Sequence, residues 1–283
     1  MKSKATAKNW FLPASPFSDL YSSLLFDLAI SLVTTFLESD ANDNEAWFDG
    51  HRNLVLIDIY GNVKRKIQLN KNVYDIAVTT KGEIFVTEFS GTNIKKYLQD
   101  DSCINIVETQ PYRTHGICLT SVQDEILVCL YKLNDSKVVR MTTAGQIKQT
   151  IQEDKKHQLL YKSPRYVVEN INEDVVVVDD YSAIVVVNKK GEYRYKYPES
   201  LLSSQRIGDC FGIACDNRGC ILVSDCGNHT IHLIDMDGMF IQFILTQQHG
   251  VYKPTGLSID NKGQLWMCNN NDKEVTIYKY RSS

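Results

Sequence analysis

The sequence predicts an all-β fold, a six-bladed β-propeller with four antiparallel strands in each blade, and three observations carry that prediction. Turn residues recur in two series that run in phase along the chain. The segments between them alternate apolar and polar residues, and the unit so defined repeats every 41 to 50 residues.

The first series is Lys81-Gly82, Gln123-Asp124, Asn172-Glu173, Arg218-Gly219 and Lys262-Gly263, spaced by about 42, 49, 46 and 44 residues. Each dipeptide follows one alternating segment (DIAVT, GICLT, YVVEN, GIACD, GLSID) and precedes another (EIFVTE, EILVCL, VVVVDD, CILVSD, QLWMCN). The second series, Tyr60-Gly61, Asp100-Asp101, Ala144-Gly145, Lys190-Gly191 and Asp237-Gly238, follows the first by roughly 20 residues and separates pairs such as TIHLID and MFIQFI. Tight hairpins need residues with φ > 0 at the turn, and half-buried antiparallel strands need alternation on both sides of it. A helical solenoid would show i, i+3, i+4 spacing instead, and β-branched runs such as Val175 to Val178 resist helix formation.

Five units begin near Tyr74, His115, Arg165, Cys210 and Thr255. A sixth lies upstream, where AWFDGHRNLVLIDIYGNVKRKI overlays the last unit; its innermost strand is expected at about Leu28 to Thr34, reaching Ala46 through the polar run ESDANDNE. The last unit stops at Ser283, where its outermost strand should begin, so the ring lacks one strand. An open sheet edge invites aggregation. We therefore divide the chain into an N-terminal segment, residues 1–27, acting as a closing strand or a helix, and a propeller over residues 28–283; the closing strand is expected at Asn9 to Leu12, beside Val275 to Lys279.

Composition agrees with a folded globular protein: 43% hydrophobic residues and a net charge of -3 exclude a strongly basic nucleic-acid arm or an acidic tail. Several of the eight cysteines sit in apolar runs, as in Leu127-Val128-Cys129-Leu130, and read as buried thiols in a reducing, cytoplasmic compartment. Lys2, Lys4 and Lys8 are not followed by an apolar region and cleavage site of the secretory kind, and Leu20 to Leu37 carries Asp27 and five Ser and Thr, a poor membrane span. No membrane and no DNA partner is expected.

The segment FGIACDNRGCILVSDCGNHTIHLIDMDG, residues 211 to 238, resembles an NHL repeat, with supporting copies in PTGLSIDNKGQLWMCNNNDKEVTIYKY and VYDIAVTTKGEIFVTEFSGTNIKKY. Over about residues 28 to 280 the chain is similar to the NHL propeller of tripartite-motif (TRIM) ubiquitin ligases. In that family a RING finger, B-boxes and a coiled coil precede the propeller. The densest cysteine group here, Cys210, Cys215, Cys220 and Cys226, lacks any C-x-x-C pair and does not fit a RING. The resemblance thus implies the propeller alone, with RING, B-box and coiled coil lacking. It implies a non-catalytic module, not itself an enzyme, that recognises a protein substrate or adaptor in ubiquitin-dependent turnover and needs no cofactor or metal.

Loops entering the inner strands and loops joining second to third strands share one face of a propeller. The entry loops supply Arg113, His115, Arg165, Tyr166, Arg206, Phe211, Tyr252 and Lys253; the others supply His51, Arg52, Tyr131, Lys132, Tyr181, Asn228, His229, Asn270 and Lys273. Arg113, Arg165, Arg206 and Lys253 are expected at equivalent points of successive blades, gathered around one mouth. Some NHL propellers bind single-stranded RNA on this face, using cations for phosphates and rings for bases. Here Asp49, Asp135, Asp179, Asp180, Asp209, Asp225 and Asp272 lie among the cations, a mixture that suits a protein better. RNA is the second reading. The third is a channel-metal hydrolase of the lactonase type, with Asp75, Glu169, Asn170 and Asp209 as inner-strand candidates and His115 as the suitable histidine for an amidating-lyase site. Trp47 and Trp266 hold equivalent second-strand positions and are expected to pack between blades.

Overall fold

The computed structural model describes residues 5–9, 32–35, 45–49, 52–198, 207–269 and 274–280. These form six four-stranded sheets. Strand β1 (Ala5–Asn9) belongs to the last blade; the first contains β2 (Leu32–Thr35), β3 (Glu45–Asp49), β4 (Asn53–Asp58) and β5 (Val63–Gln68). The second contains β6 (Val73–Val78), β7 (Ile84–Glu88), β8 (Asn93–Tyr97) and β9 (Cys103–Glu108). The third contains β10 (Arg113–Leu119), β11 (Glu125–Tyr131), β12 (Lys137–Thr142) and β13 (Ile147–Ile151). In the fourth are β14 (Pro164–Glu169), β15 (Val175–Asp179), β16 (Ala183–Val187) and β17 (Tyr193–Tyr197). In the fifth are β18 (Cys210–Cys215), β19 (Ile221–Asp225), β20 (Thr230–Ile234) and β21 (Phe240–Leu245).

The sixth blade joins the two ends of the chain. Strands β22 (Pro254–Ile259), β23 (Leu265–Asn269) and β24 (Glu274–Lys279) form a meander, and β1 (Ala5–Asn9) runs parallel to β24 with Ala5 opposite Val275 and Asn9 opposite Lys279. Of the segment expected to close the ring, Asn9 belongs to this strand; residues 10–12 lie outside the described residues. The inner strand of the first blade is Leu32–Thr35, which begins four residues after the expected start at Leu28 and ends one residue past Thr34.

Turn chemistry explains the hairpins. The second residue of every dipeptide in both series has φ between 61° and 88°, including the non-glycines Asp101, Asp124 and Glu173. Beside many of these turns a short polar side chain accepts the backbone N–H groups two and four residues ahead, as Asp216 does from Arg218 at 2.9 Å and Cys220 at 2.8 Å. Asp58, Asn188, Asp235 and Asp260 repeat the same bonding. A side chain that mimics a backbone turn fixes the hairpin locally.

Packing closes the ring. Six apolar clusters occupy the six seams between neighbouring blades, including the seam between the last blade and the first, where Trp266 and Ile277 meet Phe48 and Val55. Alternate residues of one strand serve opposite seams: Val176 and Val178 join the fifth blade, while Val175 and Val177 join the third. The second strands are therefore buried on both faces rather than one, which corrects the half-buried expectation for them and explains runs such as VVVV. Outer strands such as β13 keep an exposed face. Trp47 and Trp266 are both buried in seams, and the Trp266 Nε1–H donates to Asp260 Oδ2 at 3.0 Å.

Candidate functional site

The inner strands run side by side around a central cavity of about 380 Å³. Close approach requires glycine at two points. A Cβ on Gly212 would lie 2.1 Å from the Thr255 carbonyl oxygen, and one on Gly116 would lie 2.6 Å from both the Arg165 carbonyl oxygen and the Tyr166 Cα.

Five inner strands, β6, β10, β14, β18 and β22, carry a bulge near their start. Between Val73 and Asp75 the extra residue is Tyr74; between Pro164 and Tyr166 it is Arg165; between Cys210 and Gly212 it is Phe211. In β10 the pair His115-Gly116 opposes one residue, and in β22 Thr255-Gly256 does the same. A bulge turns a side chain out of the alternation of its strand. Here it turns Tyr74, His115, Arg165 and Phe211 toward one mouth, where Tyr131 at the end of β11 and Tyr181 in the β15–β16 loop meet them.

The contacts in that mouth are continuous. The Tyr74 and His115 rings stack at 4.5 Å, His115 stacks on Tyr131 at 5.3 Å, Tyr74 approaches Tyr166 at 5.8 Å and Tyr181 approaches Phe211 at 5.0 Å. The Arg165 guanidinium binds the two groups together, 4.4 Å from the Tyr181 ring centre and 6.0 Å from that of Tyr131. Its Nη1 donates to the Tyr74 hydroxyl at 3.5 Å, while its Nε is sealed from solvent without an acceptor. Cation–π contacts of this kind stabilise a partly desolvated cation but do not neutralise it.

Protonation follows from burial. Burial pushes the Tyr74 phenol well above its usual range, so it stays neutral. Burial likewise lowers the His115 pKa to about 4, opposed by the bond to the Pro164 carbonyl and aided by the charges of Arg165 and Arg113. Neutral His115 holds its proton on Nδ1, which donates to Pro164 O at 2.8 Å. It adds no charge to the mouth at neutral pH.

Other expected site residues are placed differently. Arg113 is exposed and sits opposite Tyr131, one residue before Thr114, which holds the position ahead of the bulge that Val73, Pro164 and Cys210 hold in other blades. Arg165 is one residue further along its strand, and Lys253 one residue before Pro254, which shares that register position. Arg113 and Lys253 thus stand at equivalent points, one residue before the position ahead of the bulge, whereas Arg165 is the bulge residue itself. Arg52 is exposed and bonds through its carbonyl to Leu69. Lys132 pairs with Asp135 at 2.7 Å. His229 stacks on Tyr252 at 4.5 Å and accepts the Lys253 N–H at 3.1 Å, a contact that links the fifth and sixth blades. His51, Arg206, Asn270, Asp272 and Lys273 lie outside the described residues.

The loop carboxylates are largely engaged. Asp179 accepts the backbone N–H groups of Lys162 and Ser163, Asp180 pairs with Lys162, Asp135 accepts from Lys132, Tyr112 and Gln152, and Asp225 accepts from Gly208, Asn228 and His232. Among the described residues no carboxylate lies within 4.0 Å of the Arg165 guanidinium. In the cavity, Asp75 accepts the N–H groups of Ile76 and Ile117, and Glu169 accepts from Arg140 and from the Ser121 N–H. No group of three or more metal-ligating side chains stands together among the described residues, so Asp75, Glu169, Asn170 and Asp209 do not converge as a lactonase-type site requires.

Three residues in or near this mouth escaped the sequence reading as site residues. Tyr74 was legible in principle, because it opens a unit at the same point as His115, Arg165 and Phe211. Phe89, 61% exposed and 6.2 Å from Tyr74, and Leu133, 74% exposed on the β11–β12 loop, carry no signal beyond being apolar residues in turns.

No family model matches the chain, and comparison with curated proteins finds no match. Solved structures do resemble it. Streptogramin B lyase aligns at 15% identity over 93% of this chain and 86% of its own, with a TM-score of 0.62. Nidogen in the nidogen/laminin complex, or its partner there, aligns at 12% over 90% and 87%, with a TM-score of 0.63. An auxiliary nutrient binding protein from Bacteroides thetaiotaomicron aligns at 11% over 88% and 68%, with a TM-score of 0.66. At these identities the shared property is the fold: this chain is a six-bladed β-propeller. The TRIM resemblance gains no family assignment. The expectation that the chain is not an enzyme falls, because a lyase is built on the same fold, which serves catalysis as well as binding. No helix of the described residues is long and apolar enough to cross a membrane.

Proposed function

We propose that this chain is a recognition propeller that binds a protein partner across the mouth formed by its inner-strand bulges. The observation that carries the reading is the convergence of Tyr74, His115, Arg165 and Phe211 from four blades, each placed there by an extra residue. Exposed Phe89 stacks beside Tyr74, exposed Leu133 follows Tyr131 by two residues on the β11–β12 loop, and interface energy concentrates in aromatic and Arg anchors.

Single-stranded RNA suits the mouth less well. Stacked bases need free ring faces along a cationic track, whereas these rings stack on one another and Lys132 is already paired. A narrower role, substrate recognition in ubiquitin-dependent turnover, is supported by the NHL-like repeats alone. All eight cysteines are free thiols, which fits a reducing compartment such as the cytoplasm.

The test is a pull-down with the purified chain, with and without ribonuclease, beside the double variant Phe89→Ser, Leu133→Ser. Proteins retained by the native chain through ribonuclease treatment and lost from the variant are the expected outcome. Retention abolished by ribonuclease would transfer the mouth to RNA, and identical retention by both chains would move the binding face elsewhere.

A further inference from the structure

We propose that Arg165 is an anchor for a single carboxylate presented by the ligand, a proposal that rests on the reading of this mouth as the binding face. The mouth holds a positive charge that no carboxylate among the described residues compensates. The guanidinium is half-buried, one of its N–H groups reaches the Tyr74 hydroxyl at 3.5 Å, and no carboxylate among the described residues lies within 4.0 Å. Folding has placed that cation between the Tyr181 and Tyr131 rings and sealed its Nε without an acceptor. A charged donor in such surroundings pairs with an incoming oxyanion more strongly than it would in water.

The charge count selects the anion. A phosphate carries close to two negative charges at neutral pH and is best met by several cations. His115, stacked on the Tyr74 ring, is neutral because burial and the nearby Arg165 and Arg113 charges disfavour its protonated form, against the pull of its bond to the Pro164 carbonyl. Arg113 is exposed at the strand start, and Lys132 is paired with Asp135. One desolvated guanidinium therefore matches one monoanion, and its flat fork matches the flat carboxylate. The surrounding rings exclude water from the pair and give an adjoining apolar group a surface to rest on.

Two sources supply such a group, the C-terminus of a chain and an Asp or Glu side chain. The experiment separates them using the full chain labelled with nitrogen-15, following the Arg165 Nε–Hε resonance, which is assigned by its loss in Arg165→Lys. The probes, at constant ionic strength, are N-acetyl-phenylalanine for a chain terminus, N-acetyl-glutamate α-amide for a side chain, N-acetyl-phenylalanine amide as the neutral control, and inorganic phosphate. The expected result is a saturable shift with one or both carboxylates, the tighter naming the source. The amide is expected to be at least tenfold weaker and phosphate weaker than the tighter carboxylate.

Absence of a saturable carboxylate shift, an equal response to the amide, or tighter phosphate binding would overturn the proposal. Arg165→Lys, with its fold verified by circular dichroism, is expected to bind the carboxylate at least tenfold more weakly, as followed through the neighbouring Tyr181 ring resonances. If that variant does not fold, the native titration decides, with Arg165 then assigned through its backbone connectivities. The two readings fail separately. A silent titration with partner capture intact removes the carboxylate anchor alone; a positive titration with no protein captured leaves the anchor and removes the protein-binding reading.

Discussion

The Arg165 guanidinium lies 4.4 Å from the centre of the Tyr181 ring, a contact between a residue that a bulge displaces from β14 and one in the loop joining β15 to β16. The contact holds a cation that has no anionic partner among the described residues. Such a group serves binding better than stability. Arg165→Met keeps the length of the side chain and removes the charge, so the unfolding free energy is expected to stay within about 1 kcal/mol of the native value or rise, as for other apolar replacements of buried charges. Partner binding should be lost. Urea unfolding and the pull-down together check this, and a loss of several kcal/mol would make Arg165 a structural residue.

Inner-strand crowding gives a second expectation. Gly212→Ala places a methyl group 2.1 Å from the Thr255 carbonyl oxygen, where backbone must move to admit it. The cost should reach about 3 kcal/mol, the upper range for overpacking. Gly263→Ala meets no atom within 4 Å and suffers only the strain of φ +70°, about 1–2 kcal/mol. Equal midpoints for the two variants in urea would contradict this account of the narrow ring.

Burial on both faces of β15 predicts that neighbouring valines matter alike. Val176→Ala opens a hole in the seam toward the fifth blade and Val177→Ala one toward the third. Each should lose roughly 1–3 kcal/mol. A strand with one solvated face would show a large effect for one and almost none for the other, a pattern that thermal unfolding would reveal.

His115 links stability to pH. Its pKa is held down to about 4 chiefly by burial, whereas the unfolded chain returns it to about 6.5. Between these values the unfolded state binds the extra proton, so stability rises with pH and is lost on acidification from 6.5 toward 4. The full shift corresponds to on the order of 3 kcal/mol. The stability difference between the native chain and His115→Gln should therefore change across that window and level off below it. A constant difference from pH 7 to pH 4, measured by urea titration, would show that His115 is not held neutral.

Ring closure is testable by truncation. Strand β1 pairs five residues with β24, from Ala5 opposite Val275 to Asn9 opposite Lys279. Removing residues 1–9 leaves that edge of β24 unpaired, and unpaired edges recruit other strands. A lower unfolding midpoint and self-association in ultracentrifugation are expected. Unchanged behaviour in both would make the pairing dispensable.

The sequence by itself determined the repeat, the number of blades and the place of each hairpin. These depend on interactions within a few residues: a turn residue with φ > 0 at Gly82 or Glu173, a side chain such as Asp216 closing its own turn, and alternation along the flanking strands. It also named Arg165, His115 and Phe211, because they open repeat units. What the tertiary structure decided is how those residues meet. Arg165 reaches Tyr74 across 91 residues of chain, and Asp75 receives the N–H of Ile117 across 42. Only a closed ring brings such positions together, and only the bulges decide which side chain leaves its strand to enter the mouth. The aspartates that looked like competitors for a ligand in the sequence are mostly consumed by local N–H groups and lysines, while Arg165 has no carboxylate beside it among the described residues. That difference depends on distances of a few ångströms between blades, which spacing along the chain does not encode.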